Sequence, residues 1–181
     1  ALELLAPFRD QQPLVSHPLA DRALLRLSFA AAQAQQWDVS RQAAEILTQR
    51  FAASPLAPEA YFNAGLAWQK QKNYDAATNC YAEVIRRTLS ATAARAQFQI
   101  GQCRLEQNRP ADAAAAFVAA AVGYNTPEIA GESRCEAAKT YVSLKQRDDA
   151  IKQYELTART CAGTRWAEVA KQKLAELKAE K

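Results

Sequence analysis

The sequence predicts an all-α protein built from repeated pairs of antiparallel helices. Within each repeat, apolar residues follow the i, i+3, i+4, i+7 spacing of an amphipathic helix in two segments, which a short polar break separates. The string that starts at Tyr61 returns in altered form 36 residues later, at Gln97. No segment shows the alternation that is typical of a strand. We therefore expect a series of helical hairpins.

Two columns of small residues fix the register of these hairpins. The first column holds Ser28, Gly65, Gly101 and Ala138. The second column begins twelve positions later and holds Ser40, Ala77, Ala113 and Ala150. Both columns have spacings of 37, 36 and 37 residues. Because two helices approach to about 8 Å only where a side chain is small, we expect these positions to be helix contacts.

An aromatic column follows the second small column by four positions. Its members in the last three copies are Tyr81, Phe117 and Tyr154, whereas the first copy has Ala44. We expect the three rings to fill the space beside the small residues of the hairpin core.

The register divides the chain into consecutive segments. Residues 1–16 are predicted to be the end of a preceding, truncated repeat, which implies that this chain is a C-terminal fragment of a longer protein. The four repeats are predicted at residues 17–54, 55–90, 91–126 and 127–163. Residues 164–181 are predicted to form a capping helix.

Turn chemistry supports these boundaries. The breaks inside the hairpins offer an Asn or Asp whose side-chain oxygen can accept a hydrogen bond from a backbone N–H of the second helix, at Asp38, Asn73, Asn108 and Asp148. Pro110 suits a first helical turn. Between repeats, residues 54–58, 88–90 and 123–127 carry the Ser, Pro and Gly that end one helix and begin the next.

The predicted capping helix is amphipathic. Trp166, Val169, Ala170, Leu174 and Leu177 share one face, which we expect to cover the last hairpin. The charged side is formed by Glu168, Lys171, Lys173, Glu176, Lys178 and Lys181.

Composition excludes several classes of function. The 181 residues are 49% hydrophobic and 23% charged, which indicates a globular chain rather than a disordered one. A net charge of +4 gives little support to a nucleic-acid or anionic-membrane surface. No run of about 18 apolar residues is present, so no membrane insertion is expected.

Catalysis and cofactor binding are not expected either. The chain has one His, four scattered Cys and no Gly-rich phosphate loop, so we expect no metal and no cofactor. No nucleophile with an adjacent base is visible. The adjacent acids Asp148 and Asp149 stand at a predicted helix start, where carboxylates suit the helix dipole. We therefore predict that the protein is not an enzyme.

A hairpin that carries Gly65, Trp68, Ala77 and Tyr81 resembles the tetratricopeptide repeat. The counterparts in the next two hairpins are Gly101, Ala113, Phe117, Tyr141, Ala150 and Tyr154. The resemblance covers residues 18–162 and implies a right-handed superhelical solenoid of antiparallel helix pairs.

Three positions depart from the pattern of this family. Ala31 and Ala44 stand in the first hairpin where large aromatic residues are usual, and Arg104 stands where a bulky apolar residue is usual. The first hairpin is therefore degenerate.

The repeat length points to a subgroup of this family. The period of 36 to 37 exceeds the usual length of about 34 residues. The joint at residues 50–60 resembles joints in bacterial cell-envelope members, namely periplasmic coordinators associated with the Tol–Pal system and lipoproteins of the outer-membrane assembly machine. This resemblance implies a periplasmic or cell-envelope location, with the cytoplasm as the alternative.

The resemblance also implies a concave groove, which is lined by first-helix residues that face away from the second helices. In the first two hairpins these residues are Arg22, Leu25, Arg26, Phe29, Glu59, Phe62, Asn63, Leu66 and Lys70. In the last two they are Arg95, Phe98, Gln99, Gln102, Glu106, Glu132, Cys135, Glu136 and Lys139.

Four of these side chains are apolar anchors among polar neighbours, a pattern typical of a protein or peptide site. They are Phe29, Phe62, Leu66 and Phe98. The alternative for each aromatic ring is packing against a neighbouring helix. The groove holds five basic and four acidic residues, and this balance argues against nucleic acid.

One known site of this family clamps a C-terminal carboxylate with Lys, Arg and Asn side chains. Asn63 and Arg95 occupy matching positions, but Leu25 and Phe29 replace the first basic residue and the first Asn. We therefore do not expect a carboxylate clamp here.

The predicted function is a non-enzymatic scaffold that binds a protein or peptide segment in the groove. The alternative is a structural module of a larger bacterial envelope protein that associates with copies of itself, which would make it a homo-oligomer.

The cysteines leave two alternatives open. Cys80 and Cys103 stand at similar heights on either side of a predicted turn, as do Cys135 and Cys161, so each pair is a possible disulfide. The other alternative is four small buried thiols in a helical core.

Overall fold

The structure, a computed structural model, describes residues 2–11 and 14–179, and these residues contain helices and no strand. The predicted all-α class is therefore confirmed. The chain divides into two compact units, Ala1–Thr88 and Leu89–Lys181, and the division falls at the predicted joint between the second and third repeats.

Unit 1 contains six helices in its described part. Two of them are single turns, α1 (Leu2–Leu5) and α2 (Pro7–Asp10), followed by a 3₁₀ turn at Leu14–Ser16. The longer ones are α3 (Ala20–Gln33), α4 (Trp37–Arg50), α5 (Ala57–Lys70) and α6 (Tyr74–Arg87). Each long helix packs against the next, and α3 also packs against α5.

The N-terminal segment, which was predicted to be the end of a preceding repeat, forms two short helices. The α1 helix packs against α3, and Leu2 and Leu5 cover the unit 1 core. That core is built around Leu24, Leu27 and Leu47, all fully buried.

Unit 2 contains five helices in its described part. They are α7 (Ala91–Glu106), α8 (Pro110–Val122), α9 (Pro127–Ser143), α10 (Arg147–Thr160) and α11 (Arg165–Ala179). Each packs against the next, α7 also packs against α9, and α9 packs against α11.

The small columns are points of close approach inside the hairpins. A Cβ atom added at Gly65 would lie 2.7 Å from the ring of Tyr81, and one at Gly101 would lie 2.5 Å from the ring of Phe117. Both rings are fully buried. The two glycines therefore have similar surroundings, as the register predicts.

The first and last hairpins satisfy the same columns with other chemistry. In the first, the buried hydroxyls of Ser28 and Ser40 lie 3.3 Å apart and share a hydrogen bond between α3 and α4. In the last, Ala138 and Ala150 pack in one cluster with Tyr154.

Every hairpin turn contains one residue in the left-handed region. These residues are Gln35, Lys72, Asn108 and Lys145, with φ of 57°, 63°, 57° and 60°. In each turn two backbone N–H groups reach back to the first helix, as when Lys72 N–H donates to the Gln69 carbonyl and Asn73 N–H donates to that of Trp68. These paired bonds define the Schellman motif. None of the four residues is glycine, so the turns carried no glycine signal in the sequence.

The predicted capping by Asn and Asp holds at one turn of the four. Asn73 Oδ1 accepts from Ala76 N–H. At the other three turns the residue before the second helix is Gln36, Arg109 or Gln146, and none makes a side-chain cap. Because Asp38 and Asp148 lie inside the first helical turn, they complement the helix dipole and do not cap it.

The predicted capping helix is present as α11. Ala170 is buried, and Trp166, Val169, Leu174 and Leu177 pack against the cluster that contains Tyr154. A Cβ atom at Gly131 of α9 would lie 2.7 Å from Trp166 Cβ, a close approach that the sequence did not indicate. Lys181, predicted on the charged side, lies outside the described residues.

We predict that Gly101→Ala destabilises unit 2 by about 1–3 kcal/mol, because the new methyl group overlaps a ring that has no free space to move into. Phe117→Leu should relieve the overlap. In a double-mutant cycle followed by urea unfolding, the combined variant should therefore lose less free energy than the two single losses together. Strict additivity would show that the glycine is not required by this ring.

We also predict that Lys72→Gly and Lys145→Gly each raise the free energy of unfolding by about 1 kcal/mol, because glycine adopts a positive φ without steric cost. The matched control is Lys152→Gly on the exposed side of α10, which should lower it by about 1 kcal/mol. Thermal or urea unfolding measures both. A loss at Lys72 equal to that at Lys152 would contradict the assignment of the turn.

Candidate functional site

The first helix of each hairpin carries a stripe of residues on the side away from its partner helix. On α3 the stripe consists of Arg22, Arg26, Phe29 and Gln33, all exposed, with the spacing of one helical face. On the opposite side of α3, Leu24 and Leu27 are fully buried. The stripe therefore contributes little to the core and is available to a partner.

The stripe of α5 is less exposed. Glu59 and Lys70 are exposed, whereas Asn63 and Leu66 are half-buried. Beside them, the ring of Phe62 packs on that of Tyr81 with their centroids 5.6 Å apart. The buried Tyr81 hydroxyl donates to Gln69 Oε1 at 2.7 Å, which fixes the ring that supports Phe62.

The stripes of unit 2 lie on α7 and α9. On α7, Arg95 is exposed and Gln99 and Gln102 are half-buried. The ring of Phe98 packs on that of Phe117 with their centroids 5.2 Å apart, which repeats the arrangement of Phe62.

On α9 the charged side chains are partly neutralised within the unit. Lys139 Nζ lies 2.6 Å from Glu136 Oε1. Burial raises the pKa of Glu132, and the charge of Arg165 on α11 opposes that rise. Both carboxylates are half-buried, and Lys139 is exposed.

The structure thus places the fifteen predicted contact residues on first helices, each at least partly exposed, with eight in unit 1 and seven in unit 2. Phe62 and Phe98 each pack on a core ring, as the packing alternative predicted, and each keeps part of its surface exposed. Cys135 is the exception among the lining residues, because it is fully buried beside Tyr154. Leu25 is half-buried against the unit 1 core, and Glu106 is exposed at the end of α7.

One stripe residue is absent from the set predicted from the sequence. Gln33 is exposed on α3 at the position that Lys70 occupies on α5, 37 residues later. The register contained this signal.

Other side chains stabilise the outer parts of unit 1. The guanidinium of Arg41 lies 4.6 Å from the centroid of Trp68, and that of Arg87 lies 4.8 Å from the ring of Tyr61. Lys70 Nζ lies 6.0 Å from the ring of Trp37. These cation–π contacts connect helices of the unit.

Two further features concern the described part of the chain: clusters of metal-ligating side chains and membrane-spanning helices. Residues 2–11 and 14–179 contain no group of three or more His, Cys, Asp or Glu side chains that could hold a metal ion. None of the helices in these ranges has both the length and the apolar character of a membrane span.

The four cysteines are free thiols in the structure. Cys80 is half-buried, and Cys103, Cys135 and Cys161 are buried. Burial raises the pKa of Cys80, Cys103 and Cys135 to about 11 each. These three thiols are therefore protonated and weakly nucleophilic at neutral pH.

Comparison with known proteins agrees with this architecture. Residues 59–87, which cover most of α5 and α6, match the tetratricopeptide repeat family. No curated protein sequence matches the chain.

Three solved structures have a similar fold. Two are MamA structures, one of them MamA MSR-1 C2, at 17% identity each and TM-scores of 0.63 and 0.64. The alignments cover 96% and 90% of this chain and 86% and 88% of theirs. A thermophilic TPR protein of Thermus thermophilus is 18% identical with a TM-score of 0.61, over 98% of this chain and 89% of its own. The chain is thus a helical-repeat protein with the fold of tetratricopeptide-repeat proteins.

We predict that a thiol reagent at about pH 8 reacts slowly with the native chain and reaches Cys80 first, because only this thiol is partly exposed. The native rate should rise as the pH approaches about 11, the raised pKa of Cys80. Unfolding without reductant should expose four thiols. A count of two or none would instead support the disulfides that the spacing allowed.

Proposed function

We propose that this chain is a non-enzymatic scaffold that binds a protein or peptide segment on the first-helix faces of each of its two units. The observation that carries the proposal is the recurrence of partly exposed apolar side chains among polar ones at fixed register positions of these helices. Protein and peptide sites combine apolar anchors with a polar rim in this way.

Phe62 and Phe98 suit the role of anchors because their rings are already held in place. Each packs on a fully buried ring of its own hairpin. A side chain that is fixed before binding loses little conformational entropy on binding, so more of the contact energy appears as affinity.

The half-buried amides beside these rings suit recognition of a peptide backbone. In the described part of the chain, no hydrogen bond engages the side chains of Asn63, Gln99 or Gln102. Each amide offers both donors and an acceptor. An extended peptide presents unpaired backbone N–H and C=O groups that such amides can satisfy.

The test is selection of a phage-displayed random peptide library on the immobilised chain, followed by affinity measurement on the enriched peptides. Phe62→Ala with Phe98→Ala should weaken these peptides by about tenfold or more, since anchor truncation commonly costs over 1 kcal/mol. Asn63→Ala with Gln99→Ala and Gln102→Ala should weaken them while leaving the ring packing intact.

The matched control is Leu89→Ala with Leu4→Ala. These side chains are 82% and 80% exposed, and neither lies on a first-helix face. The control should leave affinity unchanged. The proposal fails if no peptide is enriched, or if the control and the Phe62/Phe98 variant lose affinity equally.

Self-association is the second candidate function, and one surface favours it. The exposed side of α8 carries Ala111, Ala115, Ala119 and Val122, whereas the other second helices hold charged or amide side chains at most of the equivalent positions. Concentration-dependent sedimentation of the wild-type chain, abolished by Val122→Lys, would support self-association. A monomer at all concentrations would exclude it.

We propose a periplasmic or cell-envelope setting in a bacterium, with the cytoplasm as the alternative. The support is the period of 36 to 37 residues and the joint at residues 50–60, both similar to envelope proteins. Release of the full-length protein with the periplasmic contents, or its recovery with envelope membranes, would support this setting. Recovery with the cytosol would contradict it.

A further inference from the structure

The charge on the first-helix stripes changes from hairpin to hairpin. One register position holds Arg26, Asn63, Gln99 and Glu136 in turn, which runs from basic through neutral to acidic. The next position holds Phe29, Leu66, Gln102 and Lys139, which runs from apolar to polar. The basic end of the first series and the apolar end of the second series both lie on α3.

The two arginines of the α3 stripe lack acidic partners in the described part of the chain. In unit 1, Arg9, Arg41, Arg86 and Arg87 each form an ion pair with a carboxylate of their own helix. The side chains of Arg22 and Arg26 form no ion pair or hydrogen bond with any residue of the described ranges. Both guanidinium groups are therefore available to an external carboxylate.

The nearest acid in the sequence is engaged elsewhere. Asp21 Oδ2 accepts from the Ser54 hydroxyl at 2.7 Å, and Asp21 Oδ1 accepts from the backbone N–H of Arg22 at 2.7 Å. These two bonds hold the Asp21 carboxylate at the start of α3, where it also suits the helix dipole. It is thereby kept from pairing with either guanidinium.

Phe29 adds an apolar element to the same stripe. Its side chain is 59% exposed, more than that of any other phenylalanine of the described chain, and it stands one turn beyond Arg26. A single exposed phenylalanine is common on protein surfaces. The combination with two unpaired arginines at the i, i+4 and i+7 positions of one face is what gives this stripe a ligand preference.

The stripe of α9 does not share this preference. Glu136 is paired with Lys139 at 2.6 Å, and the charge of Arg165 partly offsets the rise in the pKa of Glu132 that burial causes. The stripes of unit 1 hold three basic residues, Arg22, Arg26 and Lys70, and one acidic residue, Glu59.

We infer that the α3 and α5 stripes of unit 1 bind an acidic peptide segment that carries a bulky apolar side chain. This inference rests on the proposed scaffold function and names the class of partner. Carboxylates of the segment accept paired hydrogen bonds from Arg22 and Arg26, and its apolar side chain packs on Phe29 and Leu66. Glu59 disfavours a continuous polyphosphate backbone on the same face, so a peptide suits it better than a nucleic acid.

The experiment uses a fluorescent peptide in which several Glu residues surround one Trp, and it measures anisotropy with the whole chain. Matched probes replace every Glu by Lys, or the Trp by Ser. The Glu/Trp peptide should bind best. Its affinity should fall by about tenfold or more in the Arg22→Gln/Arg26→Gln variant, with a weaker salt dependence. Phe29→Ala should lower affinity for the Glu/Trp peptide but not for the Glu/Ser peptide.

The matched control removes the same charge elsewhere. Arg50 and Arg159 are exposed on second helices, and neither forms an ion pair with a described residue. Arg50→Gln/Arg159→Gln should change affinity by less than about twofold. An equal loss in this control would show that the chain attracts acidic peptides through net charge alone, which overturns the inference.

A charge reversal sharpens the test. Arg22→Glu/Arg26→Glu should exchange the preference, so that the Lys/Trp peptide binds better than the Glu/Trp peptide. An oligothymidylate that displaces the Glu/Trp peptide at equal concentration would show a nucleic-acid site and overturn the inference.

Failure of this inference can be told apart from failure of the scaffold proposal. If library peptides bind through Phe62 and Phe98 but show no acidic residues, and Arg22→Gln/Arg26→Gln leaves their affinity unchanged, the scaffold function stands and this inference fails. If no library peptide binds at all, both fail.

Discussion

The structure depends on small residues that let the two helices of a hairpin lie close together, and in the second and third hairpins a large ring on the second helix fills the space beside them. At Gly65 and Gly101 the partner ring occupies the space where a Cβ atom would stand. This contact sets how near the two helices lie and fixes which side of the first helix is buried. Because one side is fixed in the core, the opposite side must face outward, and that outward side carries the candidate binding residues.

Much of the fold could be predicted because these contacts recur at a constant interval. The 36 to 37-residue register located the hairpins, the joints and the end helix, and it identified the stripe residues on first helices. The turns were located but their conformation was not predicted, since Lys72 and Lys145 adopt a positive φ that is usual only for glycine. Hydrogen bonds of the backbone impose that conformation despite the side chain.

The site could be predicted only in part, because spacing gives the face of a residue but not its partners. Phe62 and Phe98 were expected either to bind a ligand or to pack, and the structure shows rings that pack on one side and are exposed on the other. The register predicted that Cys135 lines the groove, yet packing against α11 and Tyr154 leaves it no exposed surface. Arg22 and Arg26 have no ionic partner among residues 2–11 and 14–179, and the adjacent Asp21 is held away from them by a contact with Ser54, 33 residues away.

The contact of α11 with α9 affects how the end of the chain behaves in solution. Trp166 lies over Gly131, and its carbonyl oxygen is 4.0 Å from the sulfur of Cys135. Detachment of this helix would admit water to that sulfur, and the desolvation that keeps it protonated would vanish. Fraying of the C-terminal helix is thereby coupled to the acidity of the Cys135 thiol. The rate of alkylation at this sulfur therefore reports how often α11 detaches.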